Sequence, residues 1–146
     1  MDTLADPWNF ANEVSAFYSP NGTQQLEYGE LYEKGQGGPL SGNCFWLTVH
    51  GQRFQLPGSY GSPPVWEPQG YRVALPLWSI SWGTAQQLAI LNTQLRRLVV
   101  FRQSFRLLHL QSFDSLLVKG LDSPIYKPRP VNFNAGTEAK QRIFEL

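Results

Sequence analysis

The sequence predicts a mainly β protein, an antiparallel β-sandwich or a small, partly open barrel of about seven to nine short strands with a short N-terminal helix. Three observations carry this. Apolar residues sort onto one face of short segments at a two-residue period. Thirteen glycines and eleven prolines in 146 residues break those segments at close intervals. No strand-helix-strand rhythm appears, and the short links between apolar segments make neighbours pair antiparallel.

Along the chain, Asp6-Pro7 reads as a helix start, because Asp caps free N–H groups and Pro fits the first helical position. Phe10, Val14, Phe17 and Tyr18 then follow at the spacing of one helical stripe, until Ser19-Pro20-Asn21-Gly22 stops it. Leu26, Tyr28, Glu30 and Tyr32 share one face of a first strand. The segment NCFWLTVHGQRFQLPG reads as a hairpin about a two-residue His50-Gly51 turn. That register sets Leu47 opposite Phe54 and Phe45 opposite Leu56 on the apolar face. It leaves Cys44, Trp46, Thr48 and Arg53 on the polar one.

Residues 58–70 form a loop. YRVALPLWSI is a strand with Tyr71, Val73, Leu75 and Leu77 inward, which Pro76 moves toward an edge or a bulge. LAIL, RRLVVFR, FRLLHL and LLVKGL are the remaining strands. GLDSPIYKPRP lacks the P-x-x-P spacing of a groove-binding polyproline peptide, and reads as a turn followed by an edge-forming return strand. Ile125 and Tyr126 are the apolar anchors expected to hold it to the body. The chain thus divides into an N-terminal helix or arm (1–22), a β body (23–134) and a C-terminal tail or short helix (135–146), all one domain.

Hydrophobic residues make up 42% of the chain and aromatics 14%, so a core can form; charged residues, at 16%, fall below the roughly 25% usual for globular proteins. The net charge of +1 hides an asymmetry. Six acids and one lysine fall in residues 1–34, whereas only arginines fall between Glu67 and Asp114. The single cysteine, Cys44, admits no intrachain disulfide or Cys-based zinc site. MDTLADPWNF does not read as a secretory leader, and no apolar stretch is long enough to span a bilayer as a helix. The expectation is a soluble, cytoplasmic protein without membrane contact.

Residue chemistry argues against catalysis. Metal catalysis needs several His or carboxylate ligands, and only His50 and His109 are present, so no metal or other cofactor is expected. No G-x-S-x-G surrounds a serine, and Gly35-Gln36-Gly37-Gly38 lacks the Lys-Ser/Thr of a phosphate loop. Nothing brings two of Glu27, Glu30, Glu33 and Glu67 together as a carboxylate pair.

Binding is better supported. Trp46, Trp66, Trp78 and Trp82 are candidate surface aromatics, with Trp66 in its Pro-rich loop the one most expected to be exposed. Arg97, Arg102, Lys127 and Arg129 are candidate surface cations. Arg97 and Arg102 point to opposite faces of their strand, which disfavours a nucleic-acid stripe. Abundant Trp, Tyr and Arg match interface hot spots. The reading is a non-catalytic domain that binds a protein partner, with a bacterial immunity or inhibitor protein as its specific form. A carbohydrate-binding domain using exposed Trp is the alternative, and an enzyme with a barrel pocket the third.

Overall fold

The computed structural model describes residues 5–10, 17–79 and 85–146. They form thirteen strands, all paired antiparallel. The largest sheet has five strands in the order β13-β9-β8-β7-β6, comprising β6 (Val65–Trp66), β7 (Arg72–Trp78), β8 (Gln86–Asn92), β9 (Arg97–Phe105) and β13 (Lys140–Glu145). β1 (Gln25–Tyr28), β4 (Cys44–Leu47) and β5 (Arg53–Gln55) make a second sheet. A third joins β10 (Leu108–Asp114), β11 (Leu117–Asp122) and β12 (Arg129–Asn134), and β2 (Tyr32–Glu33) pairs with β3 (Leu40–Ser41).

A two-layer sandwich has one core; here the central strands of the five-stranded sheet bury residues on both faces. Val73, Leu75 and Leu77 of β7, with Ala89, Leu91, Leu98 and Val100, pack against Leu26, Tyr28, Cys44 and Trp46 of the β1-β4-β5 sheet. The alternate residues Ala74, Leu88, Ile90 and Phe101 pack against Leu108, Leu110, Val118, Val131 and Phe133 of the β10-β11-β12 sheet. That is why β7 and β8 read as near-continuous apolar runs rather than as alternation. Gln86 and Gln87 open β8 and are buried as well. The Gln86 side-chain carbonyl accepts the Leu108 N–H at 2.6 Å, and the Gln87 amide donates to Phe101 O at 2.9 Å. Gln87 thus satisfies a carbonyl where the β8-β9 register shifts.

Pro76 lies inside β7 and is paired with Leu88. Its carbonyl accepts the Gly61 N–H at 2.9 Å, so its nitrogen also faces the short outer segment. The ladder to β8 therefore loses no donor at this position.

Three expectations are corrected, and a further one, the N-terminal helix, finds no support. The first is the β4-β5 register. The Gly51 N–H bonds to Thr48 O at 3.0 Å and the Thr48 N–H to Gln52 O at 2.8 Å, so the loop is Val49-His50-Gly51, with Gly51 at φ 80°. One added loop residue shifts the pairing to Phe45↔Gln55, Trp46↔Phe54 and Leu47↔Arg53, which inverts the faces. Cys44 and Trp46 enter the core, and Trp46 stacks on Phe54 with ring centroids 5.4 Å apart.

The unsupported expectation concerns the N-terminus. No helix occurs among the described residues, and 11–16 of the expected helix lie outside them. Asp6 does cap, but it caps a turn: its Oδ1 accepts the N–H groups of Trp8 at 2.8 Å and Asn9 at 2.9 Å, and Asp6 and Asn9 form a backbone bridge. Second, 140–145 is neither tail nor helix but β13, because Ile143 and Phe144 pair with Val99 and Leu98. Third, the described strands outnumber the seven to nine expected, because two-residue pieces such as β2, β3 and β6 are too short for periodicity to reveal.

Candidate functional site

The connection between β11 and β12 carries exposed apolar side chains on a fixed base. It runs through Ser123-Pro124-Ile125-Tyr126-Lys127-Pro128, with Ser123 at φ 57° and Lys127 at φ 51°, both in the left-handed region. Its base is held firmly. Asp122 is buried, and its Oδ1 accepts the N–H groups of Arg106 at 3.0 Å and Leu107 at 3.1 Å; the Ser123 N–H returns to Leu107 O at 2.9 Å. One carboxylate thereby joins the 106–107 link to the 123–128 link. The tip is free: Ile125 is 75% and Tyr126 67% exposed, so neither serves as the expected anchor to the body.

The Asp6–Asn9 turn completes the site. Pro7 is buried and its carbonyl accepts the Leu40 N–H at 2.9 Å, which fixes Trp8 at the turn's tip. Trp8, Arg106, Leu107, Ser123, Pro124, Ile125 and Tyr126 line a mainly apolar surface cavity of about 220 Å³. Its rim is basic. Arg106 is exposed and the Lys127 ammonium lies 5.4 Å from the Tyr126 ring centroid; Arg129, at the same end of the sheet through the Leu108↔Asp122↔Arg129 register, lines a separate cavity with Glu138. Among the described residues, ion pairs engage Arg53, Arg72 and Arg97, but none of Arg106, Lys127 and Arg129.

The sequence-derived candidates divide sharply. Lys127 adjoins this site, and Arg129 does not line it. Arg102 is exposed on β9, and Arg97 is tied through Nε at 2.8 Å to Glu145, its directly opposite partner on β13. Trp46 is 3% exposed, its Nε1 donating to Gln24 at 2.9 Å; Trp66, expected to be the most exposed, is 9% exposed, and Trp78 is 6% exposed. Trp82 lies outside the described residues. The loop around Trp66 is pulled inward by an ion pair: Glu67, 2% exposed, receives Arg72 Nε at 3.0 Å and NH2 at 2.9 Å.

Trp8, Arg106, Ile125 and Tyr126 were the residues that sequence reasoning missed. The available signal was Ile-Tyr between two prolines, followed at once by Lys-Pro-Arg. Such a segment has no second apolar residue at strand or helix spacing with which to be buried.

Other chemistry-bearing groups are separated. Among the described residues, no three of His, Cys, Asp or Glu converge in a way that could hold a metal ion. Burial raises the Cys44 thiol and the Tyr28 and Tyr60 phenols far from ionisation. Tyr32 is shifted down, first by its hydrogen bond to Ser59 and then by Ser41 and the nearby Lys34. No described helix is long and apolar enough to cross a membrane. No family model matches the chain, and no curated protein or solved structure is significantly similar to it.

Proposed function

We propose that this chain is a non-catalytic binding domain whose partner is a protein, engaged through the Trp8, Arg106 and 123–127 face. One observation carries the reading: two large side chains, Ile125 and Tyr126, are held in water on a connection whose base is fixed by Asp122. Exposing such residues contributes nothing to folding. Fixing their backbone in advance lowers the ordering cost of association. Tyr, Trp and Arg around an apolar centre are the side chains that dominate interface energetics.

The carbohydrate reading drew on Trp46, Trp66, Trp78 and Trp82. Three of these are core residues. An inhibitor of the bacterial immunity kind, which acts by covering another protein's active site, is the specific form of the function to test first.

The test is affinity capture from the organism of origin with wild type beside a Tyr126→Ala/Lys127→Glu double variant, followed by purification and titration of the captured protein. The expected result is a defined partner whose affinity falls more than about tenfold in the double variant. A purified partner that binds both chains equally would refute this face. A toxin-like enzyme encoded beside this chain, inhibited on binding, would establish the immunity form.

A further inference from the structure

Resting on the protein-binding reading, we propose that the occupant of this face is an acidic linear segment of the partner that inserts one aliphatic or aromatic side chain between Trp8 and Tyr126. Size limits the choice first. The cavity of about 220 Å³ is smaller than the roughly 300–1,000 Å³ typical of small-molecule sites. It is scaled to an anchoring side chain rather than to a whole metabolite.

Charge limits it next. Arg106 lines the cavity and Lys127 directly follows its lining residue Tyr126, and neither has an ion-paired acid among the described residues. The carboxylates on the segments that build the cavity, Asp6 and Asp122, each already accept two backbone N–H groups. An incoming carboxylate therefore meets free cations, whereas a basic segment meets repulsion.

Backbone geometry limits the mode. Ala135 N–H donates inward to Leu116 O, and the two-residue alternation then leaves Pro130, Asn132 and Asn134 on the outer edge of β12. Pro130 has no N–H to offer there, so a continuous added strand is blocked at the end nearest the cavity. Recognition runs through side chains: an apolar anchor in the cavity, with flanking Asp or Glu on Arg106 and Lys127.

The experiment pans a random peptide-display library on the full chain and measures recovered peptides, fluorescein-labelled, by anisotropy. The expected sequences place a Leu, Ile, Phe or Trp among several acidic residues. Their affinity drops about tenfold or more both in Tyr126→Ala and in Lys127→Glu, and weakens as NaCl rises from about 50 to about 300 mM. All substituted side chains are exposed, and near-UV circular dichroism verifies the fold of each variant.

Peptides without an acidic bias, acidic peptides that bind every variant equally, or a library that yields no binder would each overturn the inference. So would a labelled oligothymidylate that binds this face more tightly than any peptide, which would make single-stranded nucleic acid the occupant. The underlying reading fails separately, when a purified native partner binds the Tyr126→Ala/Lys127→Glu chain undiminished.

Discussion

Asp122 Oδ1 accepts the backbone N–H of Leu107 at 3.1 Å, joining the last residue of β11 to the chain that enters β10. The same oxygen takes the Arg106 N–H, so one carboxylate holds both connections that build the candidate face. Replacing Asp122 by Ala leaves these donors without their acceptor, at an expected cost of about 1–3 kcal/mol. Asp122→Asn keeps a side-chain oxygen and should recover part of it. Urea unfolding of the two variants checks the order, and a partner affinity that falls in Asp122→Ala with Tyr126 intact would show that the fixed base matters to binding.

Trp46 is the sharpest test of the β4-β5 register. Buried against Phe54 and bonded to Gln24, it should cost about 3–5 kcal/mol when cut to Ala, a large share of the roughly 5–15 kcal/mol that holds a domain folded. Trp46→Phe should cost clearly less. A surface Trp in the alternative register would cost nearly nothing, so a Trp46→Ala loss under about 0.5 kcal/mol would contradict the structure.

These two sites show what was legible in the sequence and what was not. The β class and the edge position of the segment after Asp122 followed from periodicity and turn chemistry. The β4-β5 pairing did not, because HG satisfies a two-residue turn as well as the end of a three-residue one; sorting Phe and Leu onto one face then favoured the wrong register. A core on each side of β7 and β8 also removes the signal that identifies an outer face, so tryptophans along the chain could not be assigned to surface or interior. Lys127 was found because prolines fixed its setting locally. Trp8 was not, because it reaches the face only through a contact between Pro7 and Leu40, distant in sequence.

Gly120 marks a place where two strands approach too closely for any side chain. A Cβ there would lie 2.4 Å from His109 O and 2.9 Å from Leu110 Cα, opposite the irregularity between Leu110 and Ser112. Backbone rather than a flexible side chain is in the way, so Gly120→Ala must push β10 and β11 apart. The expected loss is about 1–3 kcal/mol, read as a lowered urea midpoint. Gly22→Ala meets no neighbour and is the control for crowding; at φ 72° it reports backbone strain alone.

Cys44 should be chemically silent until the chain unfolds. Its side chain is fully buried, and burial raises its pKa, so almost no reactive thiolate is present at neutral pH. Labelling with a thiol-specific reagent should occur at the rate of global opening and accelerate with urea in step with loss of tryptophan signal. Fast labelling in native buffer would show that the β1-β4-β5 sheet opens on its own.

His109 gives stability a pH dependence whose sign can be worked out. Half-buried on β10 opposite Leu121, its imidazolium is disfavoured chiefly by desolvation, while the negative charge of Asp6 opposes that shift without cancelling it. The folded pKa therefore lies below the unfolded value of about 6.5, and the unfolded chain binds the proton more readily. Stability from this source is present above that value and is lost as pH falls through the folded pKa. Urea midpoints should thus decline from about pH 7 to about pH 5, before most carboxylates protonate, and the decline should flatten in His109→Gln. Removing Asp6 tests the opposing charge: Asp6→Asn should lower the His109 pKa further, displacing its NMR titration toward acid. An unmoved titration in Asp6→Asn would break the electrostatic link between the N-terminal turn and β10.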